Sequence, residues 1–312
     1  MKTIFILGAG ASHEFGYPLG SELNGKILQQ LGMGTKVRSN FAERLGHSET
    51  TLFAVEEFRR GLHRSEYDTI DQYLGAQHRN LHLRRIGKEA ITAMIASLEN
   101  EGTLFRRQSF HWYKRFLDFL RDHPTLAHRD HFTFLTFNYD RSLEHYLYEA
   151  VTHGGGDFAD SVAKDFFENN FIHIHGHVGF LPWQINDSEQ TRLKRQYGSP
   201  IQPPQLATIA QNILLPDEDV KLDTLLRERL LNADRIIIMG FGFHDQNTKK
   251  ILFNEIVNRA NLRIDITVQN LGMEKRDWLK KHPTVTTHDH DCANFIGIPF
   301  LAMHRDSQNG SA

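Results

Sequence analysis

Short apolar runs that stop at glycine, asparagine or histidine constrain this chain more than any other feature. Thr3–Leu7 is a continuous apolar run with β-branched residues that ends at Gly8-Ala9-Gly10-Ala11-Ser12. His131–Thr136 stops at Asn138-Tyr139-Asp140, Phe171–Ile174 at His175-Gly176, and Arg235–Met239 at Gly240-Phe241-Gly242-Phe243. Unbroken runs of this length are expected of strands buried on both faces of a parallel sheet. A further strand, Arg263–Val268, ends at Gln269-Asn270. Helical patterns lie between them. Ser21 reads as the cap of a helix through Gln30, Leu143, Tyr146 and Leu147 share a helical face, and further helices run from Leu222 to Leu231 and from Asp245, as cap, to Ala260. Alternating strand, loop and helix predicts an α/β fold: a Rossmann-like open parallel sheet with helices on both faces.

Residues 35–127 interrupt this alternation. Leu52, Phe53, Val55, Phe58 and Leu62 fall at helical spacing, as do Ile70, Leu74 and Leu81, then Ile86, Ala90, Met94 and Leu98, and finally Trp112, Phe116, Phe119 and Leu120. The expected organisation is a sheet core made of residues 1–34 and 128–300, an all-helical insertion lobe at 35–127, and a frayed tail at 301–312. Between Trp183 and Val220 the composition turns polar, with Pro200, Pro203, Pro204 and Pro216, which reads as a long surface loop.

Composition narrows the functional classes. Against 36 basic residues stand 38 acidic ones, so no whole-chain charge footprint points to nucleic acid or an anionic membrane. The N-terminus lacks the pattern of a signal peptide, and no stretch reads as a membrane span. Cys292 is the only cysteine, which excludes a disulfide framework and a cysteine zinc ribbon and suits a cytoplasmic protein.

Ligands of open parallel sheets bind where loops leave the carboxyl ends of the strands, so the punctuating turns point to one crevice. The first glycine turn would let backbone approach a pyrophosphate, with the N-terminus of the following helix supplying free N–H groups. It departs from the dehydrogenase fingerprint, because His13 replaces the third glycine. Read alone, it could also be no more than a tight strand-to-helix turn. Likewise, Asn138 and Asp140 read alone could cap the helix that begins near Arg141. His173, His175 and His177 alternate, a spacing that invites a metal. Zinc normally needs three or four ligands, however, and no spacing ties His288 or His290 to the three, so no metal is expected.

Taken in order, GAGAS after the first strand, Asn138 and Asp140 in TFNYD, His175-Gly176 in HIHG, and the GFGF loop resemble the sirtuins. They are most similar to the bacterial sirtuin-like NAD hydrolases of anti-phage defence, as are Pro18-Leu19-Gly20 and Ile70-Asp71-Gln72-Tyr73-Leu74. The resemblance extends from Met1 to about Asn270. It implies that Gly8, Ala9, Gly10 and Ser12 hold the diphosphate of NAD+, and that Asn138 and Asp140 flank its nicotinamide end. It also implies that His175 is the base, that Gly240 and Gly242 serve the adenosine side, and that Asn270 meets a ribose hydroxyl. The chemistry suits these residue types. Nicotinamide leaves NAD+ from a cationic ring, so cleavage needs stabilisation of the sugar cation and a placed nucleophile rather than an acid. Asp140 offers a negative field and a neutral imidazole at His175 offers a base near neutral pH.

The chain departs from deacetylating sirtuins, which carry four zinc cysteines where this sequence has Cys292 alone. The implied reaction is hydrolysis of NAD+, as substrate, to nicotinamide and ADP-ribose, with no zinc. Because an unrestrained reaction of this kind would drain a cell of NAD+, the resemblance implies a regulated effector. It is expected as a homo-oligomer or with a partner such as a DNA-translocating ATPase or another defence subunit. A non-catalytic subunit that binds NAD or ADP-ribose, and a protein deacylase, are the competing readings.

Overall fold

In the computed structural model, six strands form one parallel sheet among the described residues. The structure describes residues 1–302 apart from positions 37, 40–42, 44–48, 108, 109, 129, 130, 163–165, 168, 169, 185–193, 216 and 219. The strands are β1 (Thr3–Leu7), β2 (Phe132–Thr136), β3 (Phe171–His173), β4 (Arg235–Met239), β5 (Arg263–Thr267) and β6 (Val285–His288). Their spatial order is β3-β2-β1-β4-β5-β6, so the chain reverses its direction of winding between β1 and β4. In register, Phe5 lies opposite Phe134 on one side and Ile237 on the other.

The unbroken apolar runs follow from this placement. Successive side chains of a strand point to opposite faces. Phe5, Leu7, Phe132, Phe134, Ile237 and Met239 therefore enter one core, while Ile4, Ile6, Leu135, Ile236, Ile238, Ile264 and Ile266 enter the other. The first core is covered by α1 (Gly20–Gln30), α2 (Glu49–Arg64), α3 (Ile70–Ala76), α4 (Leu81–Ser97), α5 (Trp112–Asp122), α6 (Ser142–Thr152) and α7 (Pro203–Ile209). The second is covered by α8 (Val220–Leu231), the segment after α9 (Asp245–Lys250), and α10 (Met273–Lys280). The expected Rossmann-like α/β sheet, wound on both faces, is present.

Several local expectations change. Helix α1 is not capped by Ser21: the cap position is Leu19, whose backbone N–H donates to the Glu22 carboxylate at 2.9 Å. Helix α5, placed by its sequence in the insertion, lies on the sheet, with the Phe116 ring 5.4 Å from both Phe5 and Phe134. The expected loop from Trp183 to Val220 contains α7, because Pro203 and Pro204 occupy the first helical turn, where a missing N–H costs nothing. Pro216 and residues 185–193 of that stretch lie outside the described residues, as do residues 303–312 of the expected tail. The helix expected from Asp245 to Ala260 stops at Lys250; left-handed Leu252 (φ 52°) then starts a second short turn and Phe253 enters the core. Strand β6 escapes a sequence reading because it is a short, half-exposed edge with no apolar run.

A buried charge cluster joins the helical lobe to the sheet. Glu99, just after α4, accepts from Arg141 at 3.0 Å through each carboxylate oxygen and pairs with Arg195 at 2.5 Å. Arg141 also donates to the carbonyls of Gly179 and Arg195. Removing one partner from such a cluster typically costs about 3–5 kcal/mol, since the remaining charge stays buried.

His111 ties stability to pH. It caps α5 by accepting the Lys114 N–H at Nδ1 (3.2 Å), and burial, with Lys114 nearby, pushes its pKa from 6.5 down to about 4. The fold therefore favours neutral His111. Its contribution is fully present above pH 6.5 and is lost as pH falls towards 4. We expect His111→Asn, which keeps a capping oxygen, to lose roughly 2 kcal/mol less than wild type between pH 7 and 4.5. Urea unfolding at both pH values measures this.

Candidate functional site

Where winding reverses, β1 and β4 open a crevice at their carboxyl ends, and the structure holds a cavity of about 440 Å³ there. Gly8, Ala9, Gly10, Ser12, Asn138, Asp140, His175, Gly240, Gly242 and Asn270 all line it. The turns after β1, β2, β3, β4 and β5 thus converge on one space.

The glycines are required first by one another. Gly8 donates its N–H to the Met239 carbonyl at 3.0 Å, and Gly10 donates to the Gly240 carbonyl at 2.9 Å. A Cβ on Gly8 would fall 2.4 Å from that Gly240 oxygen, and one on Gly240, which has φ +61°, would fall 2.2 Å from the Ala11 nitrogen. The two loops can touch only as bare backbone. No long helix follows the first turn directly. Residues Ala9–Ala11 and His13–Phe15 form single 3₁₀ turns, and α1 begins only at Gly20. Gly20 and Ser21 also line the cavity, and the first N–H groups of a helix have no partner within it. Backbone donors for an anion thus come from the start of α1, whereas Gly10 and Ala11 spend theirs on Gly240 and Gly8.

Asn138 sits in the turn after β2. Its Nδ2 donates to the Gly8 carbonyl and to the Ser12 hydroxyl, each at 3.0 Å. Both N–H bonds are thereby used, which leaves Oδ1 as an acceptor. Ser12 is buried and engaged with Asn138, so its hydroxyl supports the turn. Asp140 accepts from the backbone N–H of Ser142 at 3.1 Å and from the Ser142 hydroxyl, at the start of α6. Burial raises its carboxyl above the ordinary range, against the hydrogen bonds from Ser142 and Ser12 that hold it down. It thus holds the first residue of α6 and lines the cavity at once, while the cap position itself is Arg141.

The three alternating histidines part company. Strand β3 ends at His173, and Gly176, at φ +70°, turns the chain away. His173 bonds to the Asn138 carbonyl (2.9 Å) and to Glu144 (2.8 Å). Burial alone would lower its imidazole, but the Glu144 carboxylate and these bonds raise it above its ordinary value. His177 bonds to the Gly179 carbonyl, and burial pushes it well below its ordinary value. His175 alone lines the cavity, its ring 5.4 Å from Phe137 and 6.1 Å from Tyr139. Its Nε2 lies 3.3 Å from the Asn247 Oδ1, and its buried Nδ1 has no hydrogen-bond partner. Among the described residues, no three His, Cys, Asp or Glu side chains are grouped to hold a metal ion.

Residues beyond the four strand-end turns also line the cavity. Asp71, at the start of α3, accepts the hydroxyl of Tyr139, so the helical lobe reaches the site. Asn247, His244, Asp291 and Cys292 come from α9, the loop before it, and the turn after the unforeseen β6. Burial pushes the Cys292 thiol well up, which unsuits it as a thiolate.

Residues 133–281 match the SIR2-like domain family, just under half of the chain. The match includes Asn138, Asp140, His175, Gly240, Gly242 and Asn270, and it supports a sirtuin-like fold with an NAD-related function. It does not include the first glycine turn or the helical insertion. A search of the curated proteins finds no match. No helix among the described residues is long and apolar enough to cross a membrane.

The loop contact predicts a sharp contrast between glycines. Gly240→Ala forces a side chain into the Ala11 backbone and should lower stability by more than about 2 kcal/mol. Gly25→Ala, in α1 with open space around it, should be neutral or stabilise by up to about 1 kcal/mol. Thermal melts of both variants check this.

Proposed function

We propose that the chain is an NAD+ glycohydrolase that releases nicotinamide and ADP-ribose. The observation that carries this reading is the meeting of Asn138 and the His175 imidazole in one cavity whose wall includes the start of α1. The SIR2-like match over these residues adds support.

In this reading the diphosphate lies against the start of α1, whose N–H groups and dipole favour an anion. The nicotinamide ribose lies near Asn138 and His175. As the cationic ring departs, positive charge grows on the sugar. Water then attacks, with His175 taking its proton and Asn138 Oδ1 orienting it. Asp140 is linked to this step by charge. Burial disfavours its ionised form, and a cationic ligand favours that form, so substrate binding promotes the carboxylate. His173 and Glu144 hold the Asn138 turn from behind.

The single cysteine argues against the zinc-supported acyl-lysine lobe of a deacylase, leaving water as the acceptor. Free hydrolysis of NAD+ is toxic to its own cell, so the proposal includes restraint: a NAD-depleting effector of anti-phage defence, switched by self-assembly or by a partner subunit. Light scattering of the active protein should find an oligomer; a fully active monomer would remove that part.

Incubation of the purified chain with NAD+, followed by chromatography, should yield nicotinamide and ADP-ribose in equal amounts. His175→Ala and Asn138→Ala should each lower the rate by at least ~10²-fold while keeping the wild-type circular dichroism. Calorimetric binding of NAD+ without any release of nicotinamide would instead make the chain a binding subunit. Faster turnover of acyl peptides than of free NAD+ would make it a deacylase.

A further inference from the structure

We infer that Asn247 is a positioning residue that sets the tautomer of His175, holding the proton on Nε2 and leaving the lone pair on Nδ1. A neutral imidazole carries one proton on either of two nitrogens, and the hydrogen bond made by one decides the state of the other. Here Nε2 faces the carboxamide oxygen of Asn247 at 3.3 Å. That oxygen only accepts, so Nε2 donates and Nδ1 is left bare. Nδ1 is buried and has no hydrogen-bond partner, and His175 as a residue is 2% exposed. An unsatisfied buried nitrogen is costly unless a ligand meets it.

Two aromatic rings pack against the imidazole. Phe137 meets it edge-on at 5.4 Å and Tyr139 lies tilted at 6.1 Å. Asn247 is held in place by backbone geometry of its own. Phe243 adopts a left-handed conformation (φ 51°), uncommon for a bulky side chain, and is anchored by ring contacts to Phe241 and Phe253. The turn starts α9 two residues later and sets Asn247 in its first turn, at the cavity wall. The glycine loop after β4 therefore delivers a side chain that orients a base from the turn after β3.

The tautomer is independent of the proposed reaction, whereas its kinetic consequence rests on that reading. The test uses the full chain labelled with ¹⁵N-histidine, with the His175 signals assigned by their loss in His175→Gln. Wild type should show His175 protonated at Nε2 alone. In Asn247→Leu the Nδ1-protonated form should become populated. Asn247→Asp keeps an acceptor at the same place, so it should retain the Nε2 proton and raise the pKa of His175. The other titratable groups lining the cavity are the same in all variants: His13 and Tyr17 after β1, Tyr139 and Asp140 after β2, Asp71 from α3, His244 before α9, and His290, Asp291 and Cys292 after β6. A displacement therefore reports position 247. In nicotinamide release, Asn247→Leu should lower kcat at least about tenfold with KM little changed. Asn247→Asp should restore most of that rate and move the acid limb of the pH profile upward. A wild-type His175 protonated at Nδ1, or one whose tautomer is unmoved in Asn247→Leu, overturns the inference. Absence of nicotinamide release from wild type would instead sink the glycohydrolase reading and leave the ¹⁵N result standing.

Discussion

Two bare backbone loops in contact, one after β1 and one after β4, are the constraint from which the rest of the site follows. The Gly10 N–H reaches the Gly240 carbonyl, and side chains at Gly8 or Gly240 would overlap the opposite main chain. The contact lies where winding reverses, the one place in an open parallel sheet where neighbouring loops diverge to opposite faces and leave a crevice. Because the loops lock there, the turns after β2, β3 and β5 have a fixed edge to assemble around. Asn138 uses that edge directly, donating to Gly8.

Charge buried behind the site holds the second part of it. Glu99, Arg141 and Arg195 bind the end of α4, the start of α6 and the segment near Gly179 into one cluster, while Glu144 and His173 join α6 to β3. The Asn138–Asp140 turn lies between these two groups, so the direction of its side chains is set by both. Asp71 and Tyr139 extend the same arrangement to the helical lobe, and Trp112 ties α5 to the first loop by donating to the Ala11 carbonyl at 2.7 Å. An insertion that interrupts the sheet in sequence is thus bonded in space to the cavity at the carboxyl ends of its strands.

Much of the fold was legible because each buried strand demands apolar side chains on both faces, and such runs leave an unmistakable trace. Strands β1 and β4 have the limits that Thr3–Leu7 and Arg235–Met239 suggest, and β2, β3 and β5 differ by a single residue at one end. Edge strand β6 left no such trace, since Val285–His288 is half-exposed. The packing of α5 left no trace for a related reason: Phe116 and Phe119 announce a helix with an apolar stripe, but a stripe does not say whether it meets a sheet or other helices. The prolines after residue 200 read as a loop although two of them open a helix, because proline disfavours a helix interior yet suits its first turn.

For the site, the sequence by itself determined which turns carry glycine, asparagine, aspartate and histidine, and that parallel strands would deliver them to a common end. It could not determine the partner of each group. Hydrogen bonds that fix a side chain span a few ångströms, and here some join residues far apart in sequence, 72 positions for His175 with Asn247 and 130 for Asn138 with Gly8. Local pattern records what a segment must bury. Only the tertiary structure decides what each polar atom then meets, because that depends on packing distances to which sequence periodicity is blind.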